Sequence, residues 1–137
     1  MLQNQLYLKK FPSTTDILPE VENFVIESAK NFGLTGNKLE GFALAASEAA
    51  SNSIVHGNKL DIEKEITIEL LKENSNLELR ISDRGTGFNP KEIPDPTAPE
   101  NILKDSGRGI FIMRSFLTDL KYKFTSDGTT TILILEI

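Results

Sequence analysis

The chain predicts an α+β fold, with helices on one face of a mostly antiparallel sheet. Three observations carry this. Two segments with helical spacing of apolar residues stand together in the first half of the chain. Two pairs of period-two segments follow, each pair joined by a short polar turn. The order reads β, α, α, β, β, α, β, β, so strands and helices are grouped rather than strictly alternating.

"NQLYLKK" sets Leu6 and Leu8 against polar neighbours and reads as a short strand. "PSTTD" supplies capping residues, and Pro19 fits only in the first turn of the helix that follows. In "EVENFVIESAKNF", Val21, Phe24, Val25, Ser28 and Phe32 recur at helical spacing, and Gly33 is a C-cap. "LTGNK" restarts the chain. Leu39, Phe42, Ala46 and Ala49 or Ala50 then form the buried stripe of a second helix. Ile66, Ile68 and Leu70 pair with Leu77, Leu79 and Ile81 across the turn "KENSN". Residues 83 to 106 are rich in Gly, Pro, Asp and Lys and lack periodicity, as a functional or mobile loop does. "GIFIMRSFLTDL" is a third helix, with Ile110, Met113, Phe116 or Leu117, and Leu120 inward. "LKYKFTS" and "TTTILILEI" flank the turn "DG" as a second hairpin.

The 137 residues fit one domain, 1–137, with neither an internal repeat nor a linker. Hydrophobic residues make up 39% and charged residues 26%, which suits a globular core. There is no cysteine and one histidine, which argues against a disulfide framework and a zinc site. A net charge of −5 argues against nucleic-acid binding through a basic face. No segment has a signal-peptide pattern or approaches the roughly 18 apolar residues that cross a bilayer, so a cytoplasmic protein without a membrane partner is expected.

Four local patterns bear chemistry. In "ALAASEAASNSIVHGNK", Glu48 and Asn52 lie four apart on one helix face, and His56 follows one turn later. An amide oxygen suits Mg²⁺, which keeps waters and phosphates in its shell. A carboxylate one turn away can take a proton from a hydroxyl. The alanines leave room for close approach, although a solvated polar face with Gly57 as a cap gives the same letters. In "ISDRGTGF", Asp83 ends a strand ahead of Gly85 and Gly87. It can accept an N–H from a heterocycle, or simply make an Asp-Gly turn. In "SGRGIF", Gly107 and Gly109 open a helix, where backbone N–H groups bind phosphate, and a flexible helix entry reads the same way. It is neither a Walker A loop nor a Rossmann fingerprint. In "DGTTTILILEI", a threonine hydroxyl can reach a phosphate, but threonine is also a good strand residue.

Each pattern is weak alone, but their order and spacing resemble the GHKL ATPase superfamily. The short length and "SEAASNSIVHGNK" resemble its anti-sigma-factor serine/threonine kinases, the RsbW-like branch. The likeness runs from about Leu6 to Glu136. It implies the Bergerat ATP-binding fold, a two-layer sandwich with three helices on one face of a mixed, mostly antiparallel sheet.

By the same resemblance, ATP and Mg²⁺ are the cofactors. Glu48 is the general base, Asn52 the Mg²⁺ ligand and His56 a nearby site residue. Asp83 meets the adenine amine, with Gly85 and Gly87 in its loop. Residues 89 to 106 form the ATP lid. Gly107, Arg108 and Gly109 contact phosphates, and Thr130, with Thr129 beside it, supports the adenine end. The branch phosphorylates a serine of a STAS-type anti-anti-sigma protein and also holds a sigma factor. Its members often pair as homodimers through the sheet side near the first strand. The sporulation members carry an arginine just before the glycine loop, where this chain has Asp105, with Lys104 one position earlier. Lys104 or Arg108 would then supply the positive charge, and without it turnover would suffer. The alternatives are a non-catalytic nucleotide-dependent binder of a sigma factor or other partner, and a switch partner for a phosphatase. Glu48 favours the kinase, because a pure binder needs Asn52 and Asp83 but no base.

Overall fold

The computed structural model describes residues 5–85 and 116–137. Strand β1 (Leu6–Pro12) leads through a short 3₁₀ turn (Thr15–Ile17) into helix α1 (Leu18–Asn31). Pro19 sits in the first turn of α1, where its missing N–H costs nothing. The end of α1 is a Schellman cap: Gly33 N–H donates to the Lys30 carbonyl at 2.9 Å and Leu34 N–H to the Ala29 carbonyl at 3.1 Å. Helix α2 (Gly36–Asn52) follows, then a π-helical turn (Ser53–Gly57). The hairpin β2 (Glu65–Glu73) and β3 (Asn76–Ser82) and the hairpin β4 (Asp119–Thr125) and β5 (Gly128–Glu136) complete the sheet.

The five strands lie in the order β1-β2-β3-β5-β4. All four pairings are antiparallel, so the parallel component of a mixed sheet is absent among the described residues. Helices α1 and α2 cover one face. Ile66, Ile68, Leu70, Leu77, Leu79 and Ile81 point beneath them and are fully buried. Burial of each such side chain contributes about 1.5–3 kcal/mol. From above, the helices supply Val21, Val25, Leu39, Phe42 and the alanines of α2 to the same cluster.

Two expectations change. Leu6 and Leu8 are half exposed, because β1 pairs with β2 so that Tyr7 and Phe11 face the helices. The third helix is described only at Phe116, and β4 already begins at Asp119. Thr118 N–H donates to the Ile134 carbonyl at 2.8 Å, so strand pairing wins over helix from there on. The rest of that predicted helix lies outside the described residues.

Candidate functional site

Glu48 and Asn52 are half-buried near the C-terminal end of α2, one turn apart, as the spacing requires. The alanines around them are used differently from the expectation. Ala45, Ala46, Ala49 and Ala50 are fully buried in the core, where their small size lets α2 sit close to the sheet.

After Asn52 the hydrogen bonding lengthens. Asn58 N–H donates to the Ser53 carbonyl at 2.8 Å, five residues back. A turn closed over five residues no longer stacks His56 on Asn52. His56 is exposed, and Gly57 is the residue turned inward, onto Asp83.

Asp83 follows the last residue of β3 and is almost wholly buried. Its Oδ1 accepts N–H bonds from Gly85 at 3.0 Å and Thr129 at 3.3 Å. Its Oδ2 has no partner among the described residues. Burial pushes the carboxyl above its ordinary range, and the bonds from Gly85 and Thr129 pull it back in part. Three glycines make this crowding feasible. A Cβ at Gly57 would overlap the Asp83 carboxylate, one at Gly85 the Gly57 carbonyl, and one at Gly128 the Asp83 carbonyl. Gly57 therefore serves close approach and not a left-handed cap; the left-handed residues that follow it are Lys59 and Leu60, at φ 54° and 62°. Gly57→Ala is expected to cost about 1–3 kcal/mol of stability through overpacking. It should weaken nucleotide binding as well, and urea unfolding with calorimetry reads both. Wild-type values in each would remove the contact from the site.

The threonines are sorted by strand parity. Thr130 Oγ1 bonds to Ser82 Oγ at 3.0 Å on the open face of the sheet. That is the face away from Asp83, so Thr130 is not placed beside the carboxylate. Thr129 and Thr131 flank it on the helix side, both buried. The hydroxyls of Thr129, Thr131 and Ser53 and the Asn52 amide nitrogen are buried without partners among the described residues, as is Asp83 Oδ2. Buried polar atoms are ordinarily bonded, so orphans on the π turn, on β5 and at the end of β3 fit a site for a polar ligand. Ser53 was not picked out in the sequence, where it reads as an ordinary helix residue.

A second missed residue is Asn58, which the sequence offers only as part of a "GNK" turn. It is buried. Beside it, a cleft of about 310 Å³ is lined by Gly57, Asn58, Lys59, Asp61, Lys64 and Gly85. Gly87, Lys104, Asp105, Gly107, Arg108, Gly109 and the lid at 89–106 lie outside the described residues. Among the described residues no cluster of three or more His, Cys, Asp or Glu side chains could hold a metal. No helix there is long and apolar enough to cross a membrane.

Helices on one face of an antiparallel sheet, with a buried acceptor and bare backbone where the second helix meets the sheet end, make an α+β domain of the Bergerat type. The chain belongs to the histidine kinase-like ATPase domain family, whose sequence profile matches residues 11–135. It is 29% identical over 111 residues to the serine-protein kinase RsbW of Listeria monocytogenes, covering 77% of this chain and 70% of that protein. It is 34% identical over 108 residues to the anti-sigma F factor of Anoxybacillus flavithermus, covering 75% and 73%. In fold it resembles the RsbU and RsbW domains of a Mycobacterium tuberculosis protein, at a TM-score of 0.70 and 16% identity. That match covers 96% of this chain and 32% of the other. The mycobacterial sensor histidine kinase MprB gives a TM-score of 0.59 at 15% identity, covering 95% and 97%.

Proposed function

We propose that this chain is an ATP-dependent serine kinase and anti-sigma regulator, which phosphorylates a STAS-type anti-anti-sigma protein in a partner-switching module. The observation that carries the reading is the buried Asp83 carboxylate, with one oxygen unpartnered among the described residues, against Gly57 of the π turn that continues α2 after Asn52. The relatives named serine-protein kinase and anti-sigma F factor support it.

In this reading Asp83 Oδ2 accepts the adenine amine, and the hydroxyls of Thr129 and Thr131 line the base end. Asn52 would hold Mg²⁺ through its amide oxygen. One protein ligand of this kind fits an ion that completes its shell with waters and phosphates. Bound Mg²⁺ would supply charge neutralisation on the phosphates during transfer. Glu48 takes the proton of the substrate serine, whose oxygen bonds to the γ-phosphorus of ATP as the bond from that phosphorus to the β-phosphate oxygen breaks and ADP leaves. Arg108 and Lys104 are the cations proposed for the phosphate end.

The test is transfer itself. The purified protein is mixed with Mg²⁺, labelled ATP and each STAS-domain protein of the same genome, and label on serine is sought. Transfer to one of them names the substrate. ATP binding without transfer to any of them leaves a nucleotide-dependent binding module and directs attention to Asp105.

A further inference from the structure

Immediately after the π turn the chain reverses through Lys59 and Leu60, both in the left-handed region that non-glycine residues seldom occupy. Such a conformation persists only where surrounding bonds over-determine it. Part of the hold is backbone, with the Leu60 N–H donating to the Ile54 carbonyl at 2.8 Å and the Asp61 N–H to the Asn58 carbonyl at 3.0 Å, and the rest comes from one side chain. Asn58 Nδ2 donates to Ser13 Oγ at 2.8 Å and to the Lys64 carbonyl at 3.1 Å. Asn58 Oδ1 accepts the Arg84 N–H at 2.7 Å. Ser13 and Asn58 are both almost wholly buried, and Ser13 Oγ itself donates to the Lys64 carbonyl.

One amide thus joins three places: the segment after β1, the entry to β2, and the backbone directly after Asp83. The Arg84 bond matters most for function. Asp83 is gripped from within its own turn by the Gly85 N–H and across the sheet by Thr129. Asn58 ties that turn to the end of the π turn that carries Gly57 against the carboxylate. Asn58 therefore sets where Asp83 Oδ2 lies relative to the end of α2. The cleft beside it is lined by Asn58, Gly57 and Gly85 together.

We infer that Asn58 is a positioning residue for purine recognition: it acts through Arg84 to aim the Asp83 carboxylate at the 6-amino group of the nucleotide. The inference rests on the adenine reading of Asp83 proposed above. It makes a demand that a merely structural role does not. Loss of Asn58 should erode the choice between ATP and inosine triphosphate, which carries a carbonyl in place of the 6-amino group, and not only the overall affinity.

Calorimetry with both nucleotides on wild-type protein, Asn58→Ala and Ser13→Ala tests it. The wild type is expected to prefer ATP, and Asn58→Ala to lose about tenfold of that preference, the scale of one hydrogen bond to a charged group. Ser13→Ala, which leaves the Arg84 bond in place, should melt lower yet keep the preference. An Asn58→Ala protein with the wild-type preference overturns the inference and leaves the adenine reading standing. An equal loss of preference in Ser13→Ala also overturns it. A wild type that does not distinguish the two nucleotides removes the adenine reading and this inference with it. Should Asn58→Ala fail to fold, amide exchange on the wild type decides. A slowed Arg84 amide supports the clamp, and one that exchanges like an unbonded surface amide overturns it.

Discussion

Glu48→Gln is expected to bind ATP as the wild type does and to lose serine phosphorylation by about 10²–10⁴-fold, the scale of general-base catalysis. Glutamine keeps the size and the hydrogen-bonding reach of the side chain but cannot take a proton. Glu48 is half-buried on α2 and is not among the core side chains, so the fold has little reason to respond. The measurement is a single-turnover assay with labelled ATP and the STAS substrate, paired with calorimetry for ATP. Wild-type transfer would remove Glu48 from the role of base. Loss of binding and transfer together would make it part of the nucleotide site instead.

Asp83→Asn should act in opposite directions on binding and on stability. On the proposed adenine role of Asp83, the loss of a charged acceptor is worth about 1.5–3 kcal/mol, or roughly ten- to a hundred-fold in ATP affinity. Stability follows from the burial of the charge. The folded carboxyl is held above its ordinary value of 3.8, chiefly by desolvation. Below that value both folded and unfolded states carry the proton, and Asp83 adds no pH dependence. As pH rises, the unfolded chain releases the proton first, so stability falls until the folded carboxyl has also ionised. Asparagine escapes this loss and still offers an oxygen to the Gly85 and Thr129 N–H groups. The variant, melted without nucleotide, should gain on the wild type as pH rises above 3.8. A melting difference independent of pH would show that Asp83 burial carries no such cost.

The unpartnered Asp83 Oδ2 is itself a mark of a candidate site, since a buried charge that served only the fold would be fully bonded. It was half legible beforehand. Asp83 at a strand end, followed by Gly85, stood out because both residue types are uncommon inside regular structure. Glu48 and Asn52 were legible for a different reason: a helix converts a spacing of four into a shared face without outside help. His56 did not follow, because the π turn changes the phase of the helix after Asn52. Nothing in "SNSIVHG" announces a five-residue closure.

The threonines show the limit from the sheet side. "TTTILILEI" is apolar on both parities, with Ile132 and Ile134 on one face and Leu133 and Leu135 on the other. Alternation therefore could not say which threonine turns inward. Pairing with β3 decides it, by setting Thr131 opposite Ile81 and Thr130 opposite Ser82. The same ambiguity affected β1, whose leucines face outward because the register with β2 places Tyr7 opposite Leu70.

By itself, the sequence determined the α+β class, the elements that build the core and the glycine C-cap of α1, and it put forward acidic and amide positions for a candidate site. These are local properties, carried by period, capping chemistry and residue type within a few positions. Only the tertiary structure decided which face each threonine takes, why Gly57 is glycine, and that Asn58 is a buried clamp and not a surface turn. Each of those depends on a strand register or a backbone approach between segments distant in the chain, and no local pattern encodes such a distance.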